Sequence, residues 1–487
     1  MPLSNTVEKA VGRFRPLLSE KAFAQLLEML DSELLPAVRV NTLKHEPTQF
    51  IAQLQQRYGW EFDTVPFCPS GFNLAQPADT LSKSIEHALG DYYIQESASM
   101  LSAEMFDFAD NPHPLILDMA ASPGGKTTHI VDRTRDQAVV IANDASASRM
   151  QALRVVLAKW GAINQALTCL HGEYFGEQLP ETFDAVLLDA PCSMQNLYDT
   201  PSHPLRQITP GEQQSLSNRQ FLLLRSALQT VKVGGQVVYS TCTLSPEEDE
   251  QVVERILQEF GNCLELDDLT HKLPKPAPGL LQYGQQHFDP RMQNVIRLWP
   301  HIYGTTGFFC ACFTKKDSLP SESNTAKSNI RQRKAKGQYL PKKQTYQICD
   351  WMMEQYGFDL EEVLHQQKLA FLDTGRDIYL VPACIEQRFP ALPIMTMGLN
   401  ALKPIPDGYQ VSHEFAARFG GQFQRGIIPL DKKFVDSFLQ RKDIFEMNFS
   451  GDDKGKTLLV KDTSGRVLGR AKALKDRLKN LLPPRLL

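Results

Sequence analysis

The sequence predicts an α/β fold built on a parallel sheet. From Leu115 to Thr314, short apolar runs alternate with helical stretches, the pattern of strands joined by helical crossovers. Two of those runs end in residues that carry chemistry. Asp189-Ala190-Pro191-Cys192 follows Phe183 to Leu188, and Ser240-Thr241-Cys242-Thr243 follows Gly235 to Tyr239. A parallel sheet delivers such strand ends to one edge, the edge where ligands bind.

The elements follow in order. Glu20 to Leu30 has helical apolar spacing through Phe23, Leu26, Leu27 and Leu30. Ala37 to Leu43 reads as a strand, and Phe50 to Tyr58 as a helix ended by Gly59. Tyr92 to Ser99 leads into a predicted helix from Met100 to Phe108. Arg39, Tyr92 and Tyr93 are candidates for RNA contact and equally for structure. The strand candidates of the sheet are Leu115 to Met119, Val139 to Asn143, Leu167 to Leu170, Phe183 to Leu188, Gln236 to Ser240 and Gly307 to Thr314. Helices are predicted over Ala147 to Trp160 and Ser215 to Val231. Another is predicted from Ser245, with Pro246 at its first position and Glu247, Glu248 and Asp249 in its first turn.

The first sheet strand runs into Asp118-Met119-Ala120-Ala121-Ser122-Pro123-Gly124-Gly125-Lys126-Thr127. Glycines at a strand-to-helix turn let backbone approach a nucleotide-like ligand at the helix N-terminus. A phosphate-cradling loop also ends Gly-Lys-Thr, but needs a further glycine where Ala120 stands. Asp144 ends the second strand, 19 residues after Gly125, where an acid takes ribose hydroxyls in dinucleotide folds. An adenosine-type cofactor with a ribose follows. S-adenosylmethionine supplies what a two-cysteine site needs.

The reason for two thiols lies in cytosine. Its carbon 5 is a poor nucleophile. A thiolate adding at carbon 6, with a proton delivered to ring nitrogen 3, makes carbon 5 nucleophilic; after methyl transfer the carbon 5 proton leaves and the thiol is eliminated. Cys242 is the candidate nucleophile, Asp189 the proton donor and Cys192 the residue assisting release. Free cysteine titrates near ~8.5, so the attacking one needs a setting that favours thiolate. A lone cysteine is usually apolar filler; two at strand ends, one after Asp-Ala-Pro, point to a site. A base inside a helix is out of reach, so the target must be unpaired or flipped out. Tyr198, His203 and Arg206, in the Pro-rich loop after Cys192, are candidates to stack on or clamp RNA, or incidental surface residues.

At 487 residues, with 42% hydrophobic and 22% charged, the chain predicts two or three ordinary globular domains. It has no apolar run of ~18 residues and no signal-peptide pattern at its start, so neither membrane nor secretion is expected. Its nine cysteines, odd in number and without a CxxC pair, speak against a disulfide framework or zinc site and for a reducing cytoplasm. Net charge is -4, yet it is segregated. Residues 315–343 hold nine Lys/Arg against Asp317 and Glu322, and residues 454–487 hold ten against Asp462 and Asp476. Such surfaces suit a polyanion; a solvated linker and a charged terminal helix are the plainer reading of each run alone.

These motifs resemble the RNA cytosine-C5 methyltransferases of the Nop/Sun family: Arg39-Val40-Asn41-Thr42, Asp118 to Lys126, Asp189-Ala190-Pro191-Cys192-Ser193, and Ser240-Thr241-Cys242-Thr243. The resemblance implies a class I (Rossmann-like) S-adenosylmethionine-dependent methyltransferase sheet. It implies cofactor contacts from Ala120, Ala121, Ser122, Pro123, Gly124, Gly125, Lys126, Asp144 and Asp189. It assigns Cys242 as nucleophile and Cys192 to product release. The family's adenine-side acid falls on His171, with Glu173 close by, and its Gly-Glu-Gly after Pro-Cys-Ser is Met194-Gln195-Asn196 here. Beyond the sheet, Gly398-Leu399-Asn400 through Ser412-His413-Glu414, and Lys456 to Pro484, resemble the bacterial RsmF-type 16S ribosomal RNA methyltransferases. Those carry an extra domain and a terminal PUA-like RNA-binding domain.

The expected organisation is an N-terminal helical and mixed RNA-binding region (1–110), the methyltransferase domain (111–316), a basic linker (317–343) and a C-terminal extra domain ending in a PUA-like α+β module (344–487). From its residues alone that tail reads as strands at Thr457 to Lys461 and Val467 to Leu468, then a basic helix. The expected function is methylation of a cytosine in RNA, foremost 16S ribosomal RNA of the small subunit, by a cytoplasmic monomer. Transfer RNA is the alternative substrate, and a non-catalytic RNA-binding assembly factor the alternative class. A methyltransferase acting on protein or small molecules would need neither the second cysteine nor the basic tail.

Overall fold

The computed structural model describes residues 10–109, 111–198, 205–320, 337–445, 447, 449 and 453–483. Apolar runs in the middle of the chain pair as a nine-stranded sheet. Five strands are parallel: β1 (Leu115–Asp118), β2 (Val139–Asn143), β3 (Gln165–Thr168), β4 (Phe183–Asp189) and β5 (Val231–Thr241). Their order is β3-β2-β1-β4-β5. After β5 come β6 (Leu264–Leu266), β7 (Ile296–Leu298) and β8 (Phe308–Lys315), with β8 antiparallel to β5 and flanked by β6 and β7. The order reverses between β1 and β4, which opens a crevice at their carboxyl ends.

Continuous apolar runs are what a sheet covered on both faces requires. Alternate residues serve opposite layers. Leu117, Ile141 and Tyr239 pack in one core with Leu224 and Val253, while Ile116, Val140 and Val238 pack in the other with Leu153 and Trp160. The covering helices are α1 (Gly125–Arg133), α2 (Met150–Trp160), α3 (Glu173–Gln178), α4 (Pro210–Thr230) and α5 (Glu250–Phe260).

Several boundaries differ from expectation, each for a local reason. Helix α2 starts at Met150 rather than Ala147, because the Asp144 carboxylate accepts from Ser146 N and closes a turn there. Helix α4 starts at Pro210, where Thr209 caps Glu212 N. Helix α5 starts at Glu250, not at Ser245. Residues 246–249 form a turn, and Asp249 leaves helical geometry with φ -109° and ψ -96°. Its carboxylate is bound instead to Thr241 Oγ1 (2.6 Å) and faces Arg297.

Ahead of the sheet, helices Glu20–Leu30 and Pro47–Tyr58 precede and interleave with an antiparallel sheet of Ala37–Val40, Phe62–Thr64, Gly71–Leu74 and Tyr92–Ile94. The second helix ends at Gly59 in the left-handed region. The expected helix from Met100 shrinks to Leu101–Glu104. Arg39 does not face RNA. It is fully buried, stacks on Trp160, pairs with Asp132 and donates to Gln95, Thr128 and the Gly125 carbonyl. Tyr92 is buried too, its hydroxyl bound to Ser84 and the Leu81 carbonyl. Arg39 thus fastens the N-terminal sheet to α1. Arg39→Ala would strand the buried Asp132 and should cost about 3–5 kcal/mol, read as a lowered midpoint in urea unfolding.

After residue 336 the chain forms two further sheets. The first, of five strands, has Gln338–Tyr339, Leu369–Asp373, Ile378–Pro382, Leu399–Ile405 and Gly408–Val411, with helix Lys342–Tyr356 against it. The second has Ile427–Leu430, Thr457–Asp462, Val467–Ala473 and Leu478–Asn480. The basic helix expected after Leu468 is therefore strand. Arg470 and Lys472 alternate with buried Ala471 and Ala473, the two-residue period of a half-buried strand. This part is joined to the methyltransferase sheet: β9 (Ile394–Met397) pairs antiparallel with β3, and Phe389 stacks on Phe183. Most of the basic run, residues 321–336, lies outside the described residues. No helix among the described residues is long and apolar enough to cross a membrane.

Candidate active site

The sheet brings the two cysteine loops together. In register, Asp189 of β4 lies beside Ser240 of β5, so the residues just beyond each strand share one place. Cys192 Sγ and Cys242 Sγ lie 3.1 Å apart, both half-buried and both free. The Cys192 thiol is pushed well above its ordinary range, first by its hydrogen bond with Cys242, then by burial and by nearby Glu248.

Asp189 stands at the carboxyl end of β4. Its carboxylate accepts from Lys126 Nζ (2.8 Å) and from Ser240 Oγ (2.9 Å). Ser102 Oγ in turn donates to Ser240 Oγ (3.0 Å). Lys126, from the first turn of α1, also donates to Ser99 Oγ (2.8 Å) and lies over the Phe308 ring. Burial opposes charge on Lys126, but Asp189 outweighs it and its pKa is raised, with Cys242 adding to the effect. Deeper, Asp118 at the end of β1 is pushed up to about 7, mainly by burial, despite accepting from Thr127 Oγ1 (2.6 Å).

The turn from β1 into α1 carries Ala120 to Lys126. Gly124 has φ 117°, and a Cβ there would meet Val156 Cγ1 at 2.9 Å, so only glycine fits. At the end of β2 the buried Asp144 accepts from Ser122 N (3.3 Å) and Ser146 N (2.8 Å) and pairs with Arg149 (3.3 Å). A glycine-bearing turn of small residues at a helix N-terminus, with a carboxylate to accept from ribose hydroxyls at the next strand end, is the arrangement that an adenosine-bearing amino acid requires. S-adenosylmethionine fits these residues. His171 follows β3 on the same edge and is exposed.

The sequence reading missed what secures the cysteine loops. The four acids Glu247 to Glu250 are each held by side chains or backbone from elsewhere in the chain, and Asp249 and Glu250 share Arg297. Glu247 accepts from Arg13 (2.8 Å), and Glu248, fully buried, accepts from Ser193 N (2.9 Å) and Gln220 Nε2 (2.9 Å). Asp249 binds Thr241, and Glu250 is paired with the fully buried Arg297, whose Nη1 also donates to the Leu244 carbonyl (2.8 Å). Met194 adopts φ 59°, a conformation that favours glycine, at the position where the resembling family carries glycine. Tyr198 is buried, Arg206 is paired with Glu212 on the surface, and His203 lies outside the described residues.

This sheet order, with its glycine turn, strand-end acid and paired strand-end thiols, defines a class I methyltransferase. The model of the 16S rRNA methyltransferase RsmB/F family matches residues 105–314, and that of the N-terminal domain of 16S rRNA methyltransferase RsmF matches residues 8–97. The ribosomal RNA small subunit methyltransferase F of Aeromonas salmonicida is 32% identical over 92% of this chain and 90% of its own length; that of Aeromonas hydrophila gives the same figures. Among solved structures, a methyltransferase homolog protein from Pyrococcus horikoshii has a TM-score of 0.54 and 30% identity, covering 63% of this chain and 99% of its own. The chain belongs to the RsmF family of ribosomal RNA small subunit methyltransferases, and is an S-adenosylmethionine-dependent RNA methyltransferase.

Proposed function

We propose that this enzyme methylates carbon 5 of a cytosine in 16S ribosomal RNA, in the cytoplasm and as a monomer, through a covalent bond between Cys242 and the base. The observation that carries this reading is the 3.1 Å contact between the Cys192 and Cys242 sulfurs beside the Lys126–Asp189 pair. Cys242 Sγ adds to carbon 6. The Lys126–Asp189 pair carries a proton that reaches ring nitrogen 3 through the Asp189 carboxyl. S-adenosylmethionine, held by Ala120 to Lys126, Asp144 and, on the adenine side, His171, supplies the methyl group. Cys192, kept as a thiol by its surroundings, assists release: its proton passes to the Cys242 sulfur as the carbon–sulfur bond breaks, and the thiolate left behind takes the carbon 5 proton. The N-terminal region and a PUA-like terminal module bearing Arg470, Lys472 and Lys479 hold the RNA.

Bisulfite sequencing of ribosomal and transfer RNA from cells with and without the gene tests the substrate. One 5-methylcytosine should vanish from 16S RNA. Its persistence there, with a loss in transfer RNA, would transfer the reading to the alternative substrate.

A further inference from the structure

Two loops from different strands carry the two thiols, and something must hold their sulfurs in contact. Ser193 follows Cys192 and Thr243 follows Cys242. Both side chains reach the same carboxylate. Glu248 Oε1 accepts from Ser193 Oγ and, at 3.5 Å, from Thr243 Oγ1; Oε2 accepts from Ser193 N and Gln220 Nε2, each at 2.9 Å. Ser193 Oγ and Thr243 Oγ1 also touch each other at 3.3 Å, and Gln220 Nε2 donates to the Pro191 carbonyl at 3.0 Å. Glu248 has no cationic partner among the described residues and is fully buried. A carboxylate is kept there only by the hydrogen bonds it accepts.

We infer that Glu248 is a positioning residue for the reaction: by fastening the residue that follows each cysteine, it sets the distance between the nucleophile and the thiol that assists its release. Its own backbone is fixed in turn, since Tyr239 Oη donates to the Glu248 carbonyl and Glu248 N to the Ser245 carbonyl. The importance of that distance for catalysis rests on the reading proposed above. The clamp itself does not.

The geometry separates the clamp from the charge. In Glu248→Gln the amide oxygen can face the two obligate donors, Ser193 N and Gln220 Nε2. The amide NH2 then faces two hydroxyls that rotate to accept. Glu248→Ala removes every contact. Diamide reads the clamp without RNA or cofactor: it takes one hydrogen from each thiol, is reduced to the hydrazine, and leaves a Cys192–Cys242 disulfide that peptide mass spectrometry quantifies. Glu248→Ala should slow this cross-link at least ~10-fold, and Glu248→Gln should restore it to within about twofold of the native rate. In methylation assays Glu248→Ala should lower kcat with little change in KM for RNA, and should raise the steady-state fraction of protein bound to RNA.

A native cross-linking rate in Glu248→Ala that still binds S-adenosylmethionine would overturn the proposal. If that variant does not fold, the pair Ser193→Ala and Thr243→Val removes both hydroxyl contacts, the Thr243 one being that loop's hold on the carboxylate, and leaves the Ser193 N–H; a slower cross-link is expected and a native rate is again fatal. If the clamp effect holds but Cys242→Ala still methylates RNA, the covalent reading fails and the positioning of the thiols stands.

Discussion

Cys242→Ala should abolish methylation of RNA while S-adenosylmethionine binding stays close to native. The expected loss is on the order of 10^4-fold or more, as for other nucleophile deletions. The reason is chemical rather than structural. Without a sulfur on carbon 6 the ring offers no nucleophilic carbon 5, and no neighbouring group replaces it, because Cys192 lies on the other loop. The cofactor turn at Gly124 and the acid at Asp144 belong to different strand ends and keep their own partners. Calorimetric titration with S-adenosylmethionine checks the second half of the expectation. Retained turnover would refute the covalent route.

Cys192→Ala should leave bond formation intact and block departure, so protein accumulates on RNA as an adduct that survives a denaturing gel. The sulfurs are in contact, so the lost group is the one adjacent to the breaking bond. In the double variant with Cys242→Ala the adduct should disappear. A gel without adduct for the single variant would remove the release role from Cys192 and leave its thiol a purely structural neighbour.

The catalytic edge was legible in the sequence because it is written locally. An apolar run followed by Asp-Ala-Pro-Cys or Ser-Thr-Cys-Thr states both the strand and what stands at its end. What escaped was written across the chain. Arg39 sits in a strand of ordinary composition, and only its pairing with Asp132, 93 residues away, makes it a buried anchor. Pro246 and the acids after it satisfy every local rule for a helix start. Thr241 and Arg297 claim Asp249, however, and the helix waits until Glu250. The same run of acids was readable as a charge complement to a helix dipole, whereas its members bind distant residues, Arg13, Ser193, Gln220, Thr241 and Arg297. Likewise, the basic helix expected after Leu468 is strand through Gly469-Arg470-Ala471-Lys472. Pairing with Thr457–Asp462 decides for strand.

Strand β9 bears on how the protein is made. An edge such as β3 offers unpaired backbone groups to any passing strand. Its neighbour on that side is Ile394–Met397, which leaves the ribosome more than two hundred residues later. During synthesis the catalytic domain therefore exists for a time with one flank open. Its completion is tied to the arrival of the C-terminal part, so a nascent chain halted before that strand is exposed to aggregation, even with every residue of the active site already translated.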